Sequence, residues 1–212
     1  MSDNNNNNNN NNKEVEDEEE DNDDDIKVIL VGEMGTGKTS LINTSVGLEF
    51  KDKVATTTTN TIMNKILNID NKVYSISLWD TIGQERYRSL TKIFMKGAKI
   101  IIFVYDITDY HSFTELNFWF EFTKEVINDD TVVAIVGNKS DLFLNEKVKE
   151  EEGKKLAEDN GYEFSLSSAK APNVFCQFLE KLVKIYICNK FGNNLNDSKR
   201  LKSDKNKKKK CC

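Results

Sequence analysis

Apolar positions in this chain fall into short continuous or alternating runs, separated by longer polar stretches with helical spacing. Residues 26–31 read as a buried strand, and residues 40–43 as the start of a helix. Residues 61–69 and 72–79 form two further strands. Asp70-Asn71 between them suits a tight antiparallel hairpin, because both residue types tolerate positive φ. Residues 99–105 and 131–137 are nearly unbroken apolar runs, the pattern of strands covered on both faces, and 162–166 is a last short strand. Helices are expected over 109–127, with Asp109 as N-cap and Phe113, Leu116, Trp119 and Phe120 at helical spacing, and over 148–160, closed by Gly161. A final helix is expected from Pro172 to about Tyr186. The alternation predicts an α/β domain: a six-stranded, mostly parallel sheet with helices on both faces and ligands at the carboxyl ends of its strands.

Charge divides the chain into three parts. Residues 1–25, with an asparagine run and then an acidic one, carry −10; residues 26–188 carry −2; residues 189–212 carry +7. Both ends lack the apolar residues needed to offset the entropy of ordering, so they are expected to be disordered, the first an Asn-rich acidic extension and the last a flexible basic tail. The N-terminal segment has no apolar core of the kind a signal peptide needs, and no stretch is long and apolar enough to span a bilayer. Four cysteines, two of them adjacent at the end of the sequence, do not make a disulfide framework and fit a reducing compartment.

The candidate chemistry sits after the strands. Gly32-Glu33-Met34-Gly35-Thr36-Gly37-Lys38-Thr39, followed by Ser40, fits the phosphate-binding loop G-x-x-x-x-G-K-[ST] in its required strand-to-helix context. Its backbone N–H groups and the helix start suit a polyphosphate, with Lys38 reaching the β- and γ-phosphates and Thr39 a Mg²⁺ ligand. Asp80 and Gly83-Gln84 follow the third strand and place one carboxylate near Mg²⁺ and one glutamine near the γ-phosphate. Asn138-Lys139-Ser140-Asp141 offers a carboxylate to guanine N1–H and N2, a pattern adenine cannot satisfy, and Ser168-Ala169-Lys170 offers a backbone N–H to guanine O6. An ATP-using phosphate-loop protein is disfavoured by Asp141 and Ala169.

These motifs, in this order, resemble a small GTPase of the Ras superfamily, over about residues 26–188. Trp79-Asp80-Thr81, Gln84-Glu85-Arg86-Tyr87-Arg88-Ser89-Leu90, Phe94-Met95-Lys96-Gly97-Ala98 and Val104-Tyr105-Asp106-Ile107-Thr108 are similar to those of Rab proteins. The resemblance implies a single-domain P-loop GTPase fold that binds GTP and GDP with Mg²⁺ held by Thr39, Thr57 and Asp80. It also implies that Phe50 packs against guanine, that Lys139 lies beside the base and that Gln84 orients the attacking water. Spacing alone leaves Thr56, Thr58 and Thr59 open beside Thr57. Lys207 to Lys210 followed by Cys211-Cys212 resembles the ends of Rab proteins, and the resemblance implies geranylgeranylation of both cysteines, with the basic tail supporting an anchor on the cytoplasmic face of an intracellular or plasma membrane. An exchange factor, activating protein, escort protein, GDP-dissociation inhibitor with its cytosolic pool, and effectors are implied; no nucleic-acid partner and a monomeric state are expected.

Three departures from the family pattern bear on activity. Met34 stands where the phosphate loop usually has Gly, Ser or Ala, and Ile82 where Ala usually precedes Gly83. Switch I reads Thr57-Thr58-Thr59-Asn60-Thr61-Ile62, without the usual glycine and with Ile62 in place of an aromatic. The expectation is a vesicle-traffic GTPase with a low intrinsic rate, or alternatively a hydrolysis-deficient, constitutively GTP-bound scaffold.

Overall fold

The protein is described by a computed structural model that covers residues 25–52, 57, 61–81 and 93–207, with side chains as far as Lys190. Strands β1 (Asp25–Val31), β2 (Thr61–Ile69), β3 (Lys72–Asp80), β4 (Ile100–Asp106), β5 (Val132–Asn138) and β6 (Glu163–Leu166) form one sheet in the order β2-β3-β1-β4-β5-β6. Only the β2–β3 pair is antiparallel. Its turn is the expected hairpin, with Asp70 at φ 50° and Asn71 at φ 62°. Two successive left-handed residues match the right-handed twist of the strands they join.

β4 and β5 are buried along their whole length, as continuous apolar runs require. Side chains alternate between two cores. One face sends Val28, Leu30, Ile102, Val104 and Ala134 against helices α1 (Lys38–Ser45) and α5 (Pro172–Lys207), through Leu41, Ile42, Phe175, Leu179 and Leu182. The other sends Ile29, Ile101, Phe103, Tyr105 and Ile135 against α2 (Tyr110–Thr114), α3 (Leu116–Thr123) and α4 (Glu150–Asn160), where Leu116, Trp119 and Ala157 are buried. The period-two alternation thus assigns each strand residue to one helix layer.

Two expected helices differ from their sequence-based limits. The helix expected over 109–127 begins as foreseen, with the Asp109 carboxylate accepting from the His111 N–H, but is broken at Glu115 and ends at Thr123. The Thr123 hydroxyl bonds back to the carbonyls of Trp119 and Phe120 at 3.0 and 3.1 Å. That competes with the helical ladder and replaces it by a turn. The last helix runs to Lys207 rather than to about Tyr186, through residues expected to be disordered. Its backbone ladder is local and needs no core; the apolar side chains that pack on the sheet stop at Ile187 among the described residues. The chain's single proline, Pro172, is at its first position, so nothing downstream removes a donor.

Candidate functional site: a nucleotide cleft at the strand ends

A cleft of about 450 Å³ opens at the carboxyl ends of β1, β3 and β5 and is lined, among others, by Lys38, Thr39, Phe50, Thr57, Asn138 and Asp141. Its floor is the loop from Gly32 to Gly37 between β1 and α1. Gly32 has φ 147° and lies against β4, where an added Cβ would fall 2.1 Å from the Val104 carbonyl oxygen. Gly37 has φ 90° and would meet the Asn138 amide at 2.3 Å. At both positions glycine is required by the close approach as well as by the backbone angle. Gly37 caps α1 without any side-chain hydrogen bond, which leaves the first-turn N–H groups of Lys38, Thr39 and Ser40 available to an anion.

Lys38 is 5% exposed, and its ammonium donates to the carbonyls of Gly32 at 2.8 Å and Glu33 at 2.9 Å. Burial lowers its pKa from 10.5 to about 8, against the opposing charges of Asp80 and Glu33. A buried cation on a loop of N–H groups is a receptor for a polyanion.

Next to it, Thr39 Oγ1 lies 2.8 Å from Thr57 Oγ1 and donates to Asp80 Oδ2 at 2.7 Å. The other Asp80 oxygen, Oδ1, is buried without a hydrogen-bond partner. Burial raises the Asp80 pKa, offset by the Thr39 hydroxyl, the Lys38 charge and Thr57. Two hydroxyls and one carboxylate with a spare oxygen fit Mg²⁺, which takes hard oxygen ligands and completes its shell with phosphate and water. Among the described residues no cluster of three His, Cys, Asp or Glu could hold a metal alone, in keeping with that mode. Of the four threonines the spacing left open, Thr57 reaches this triad; Thr56, Thr58 and Thr59 lie outside the described residues.

The residues expected to read the base gather at the opposite end. Asp141 accepts from Ser168 Oγ at 2.5 Å and pairs with Lys170 Nζ at 3.2 Å. Burial works to raise its pKa, but Ser168, Lys170 and its own backbone N–H outweigh this and hold the carboxyl below its usual range. Ala169 is buried in the cleft wall, and the Lys170 ammonium stands 5.5 Å from the Phe50 ring centroid. The Asn138 amide donates to the Thr36 carbonyl at 2.8 Å, which ties this end to the phosphate loop. Gly35, Ser40 and Lys139 also line the cleft, and Met34, 55% exposed, stands at its rim. The segment containing Ile82, Gly83 and Gln84, and the terminal Cys211 and Cys212, lie outside the described residues.

Sequence reasoning missed several contributors. Asp106, at the end of β4, pairs with Lys139 at 2.5 Å, and Thr81 Oγ1 donates to the Leu30 carbonyl at 2.7 Å, fixing the chain just after Asp80. Lys51, Asp52 and Leu142 also line the cleft. The position of Asp106 at a strand end beside the phosphate loop was the available signal.

A parallel sheet with a phosphate loop, a hydroxyl–carboxylate metal niche and a carboxylate poised for a base edge defines a P-loop nucleotide-binding protein. The Ras family model matches residues 27–187. The chain is 38% identical over 161 residues to the Ras-related protein YPT3 of Nicotiana plumbaginifolia, covering 76% of this chain and 74% of that one. It is 39% identical over 145 residues to the Ras-related protein SEC4 of Saccharomyces cerevisiae (68% and 67%), and 35% identical over 161 residues to the Ras-related protein Rab-11C of Dictyostelium discoideum (76% and 74%). The chain belongs to the Ras family of small GTPases, on its Rab side, and its reaction is the hydrolysis of GTP to GDP and phosphate.

Proposed function

We propose that this protein is a Mg²⁺-dependent GTP/GDP switch of vesicle traffic, held on the cytoplasmic face of an intracellular or plasma membrane by two geranylgeranyl groups on Cys211 and Cys212. The observation that carries the switch is the meeting of Thr57 with Thr39 and Asp80. Thr57 stands between α1 and β2 in the chain, so a ligand at this triad would hold Thr57 against both Thr39 and Asp80. Lys38 places its charge on the β- and γ-phosphates, and the N–H groups at the start of α1 hold the same groups. Asp141, fixed by Ser168 and Lys170, accepts from guanine N1–H and N2, Phe50 closes on the ring, and Ala169 supplies a backbone N–H to O6. Mg²⁺, when bound, neutralises the charge that develops on the transferred phosphoryl group. Gln84 orients the attacking water.

The basic residues of the tail add attraction to an anionic leaflet, about 1 kcal/mol for each lysine near the surface. An exchange factor, activating protein, escort protein, GDP-dissociation inhibitor and effectors are the partners that this cycle requires. Among the described residues no helix is long and apolar enough to cross a membrane. A second reading, a hydrolysis-deficient scaffold kept in the GTP form, is favoured by Met34 at the cleft rim. Competition of GTP and ATP against a fluorescent GDP analogue tests the nucleotide assignment: GTP is expected to compete at least a thousandfold better, and equal competition would overturn it.

A further inference from the structure

We propose that Trp119 is a positioning residue for the β- and γ-phosphates, acting through Glu33 on Lys38; this rests on the guanine-nucleotide reading above. Trp119 lies on α3, in the helix layer beside the sheet, and is completely buried. Its indole Nε1 donates to Glu33 Oε1 at 3.0 Å. Glu33 is the second residue of the phosphate loop. Its main-chain oxygen accepts from Lys38 Nζ and from Thr36 Oγ1, each at 2.9 Å. Its carboxylate also supports the Lys38 charge against burial. One indole N–H therefore holds the carboxylate of the residue whose carbonyl aims the ammonium.

The geometry is set from both sides. Edge-on contacts with Phe118 and Phe122, at ring separations of 5.5 and 5.8 Å, orient the indole. A hydrogen bond to a carboxylate is among the stronger and more directional ones. On the other side, Glu33 sits between Gly32, pressed against β4, and the exposed Met34. Phenylalanine would keep most of the ring packing but donate nothing, so the bond and the packing are separable. Lys38 acts on the outer phosphates, whereas Asp141 and Ser168 act on the base. Loss of the Trp119–Glu33 bond should therefore depend on how many phosphates the ligand carries, and a general loosening of the domain should not.

The test uses the full chain with Trp119→Phe, Glu33→Ala and the double variant, and measures dissociation constants for GMP and GDP. Each single variant is expected to weaken GDP about tenfold and GMP less than twofold, and the double variant is expected to be no worse than Glu33→Ala alone. The chain has two tryptophans, so ¹⁵N-labelled indoles give two resonances, and Glu33→Ala should move the one that Trp119→Phe removes. Glu33 is only half-buried, which keeps the proposal testable should Trp119→Phe fail to fold. Equal weakening of GMP and GDP, or additive losses in the double variant, would overturn it. Wild-type protein that bound no GDP would overturn the guanine-nucleotide reading itself.

Discussion

The ammonium of Lys38 should destabilise the protein whenever no phosphate faces it, and Lys38→Met measures by how much. Its pKa is about 8 in the folded chain and 10.5 in its ordinary state. Between those values the unfolded chain binds more protons than the folded one, so stability must rise with pH across that window. Below pH 8 the charged side chain destabilises the nucleotide-free fold by about 3 kcal/mol; at pH 10 about 1 kcal/mol of this remains, and above pH 10.5 it fades. Methionine fills the same space without charge but leaves the Gly32 and Glu33 carbonyls without their lysine donor, at about 1 kcal/mol each. At pH 7 the two effects nearly cancel, and the nucleotide-free variant should be as stable as wild type or slightly more so. Raising the pH to 10 should favour wild type by about 2–3 kcal/mol relative to the variant. Urea unfolding of both nucleotide-free proteins from pH 7 to 10 checks this, and other titrating groups, Tyr105 included, drop out of the difference. Parallel stability curves would show that Lys38 carries no desolvation penalty. With GDP and Mg²⁺ present the order should reverse, because the phosphates then meet the charge and only wild type binds them.

Asp141→Asn should weaken GDP by at least tenfold and shift preference toward xanthine nucleotides, since asparagine presents a donor where guanine also donates; unchanged GDP affinity would refute the base assignment. Met34→Ser, Ile82→Ala and their double variant should hydrolyse GTP faster than wild type in single-turnover measurements, because a displacement of about 1 Å near the attacking water costs on the order of a hundredfold. A wild type as fast as the double variant would show that these side chains do not obstruct the reaction. Removal of Cys211 and Cys212 should leave a folded, GDP-binding protein in the soluble fraction of cells, and full membrane retention would rule out lipidation of these cysteines as the anchor.

The sheet was legible because each strand carries its environment in its pattern. β4 and β5 are buried on both faces and are apolar runs that end in Asp106 and Asn138; β2 and β3 meet at an Asp-Asn pair that tolerates positive φ. The phosphate loop was legible because its backbone leaves few choices of residue at Gly32 and Gly37. The end of α3 was not, since the Thr123 hydroxyl competes with the helix through its side chain rather than through propensity or spacing. Nor were the pairs Lys139–Asp106, Trp119–Glu33 and Asn138–Thr36, which join residues 33, 86 and 102 positions apart. Local periodicity says nothing about which distant side chains meet. The meeting of Thr57 with Thr39 is likewise a long-range contact that spacing alone could not supply.

The bond from Asn138 to the Thr36 carbonyl has a consequence for how a nucleotide leaves. It fastens the loop proposed to grip the phosphates to the segment proposed to read the base, which makes one receptor of the two half-sites. Once one end of the ligand is seated, the other is presented at high effective concentration, and the affinity of the whole exceeds what either fragment would suggest. The reverse also follows. Anything that pries the phosphate end apart should strain the Asn138 link and so reach the base end as well.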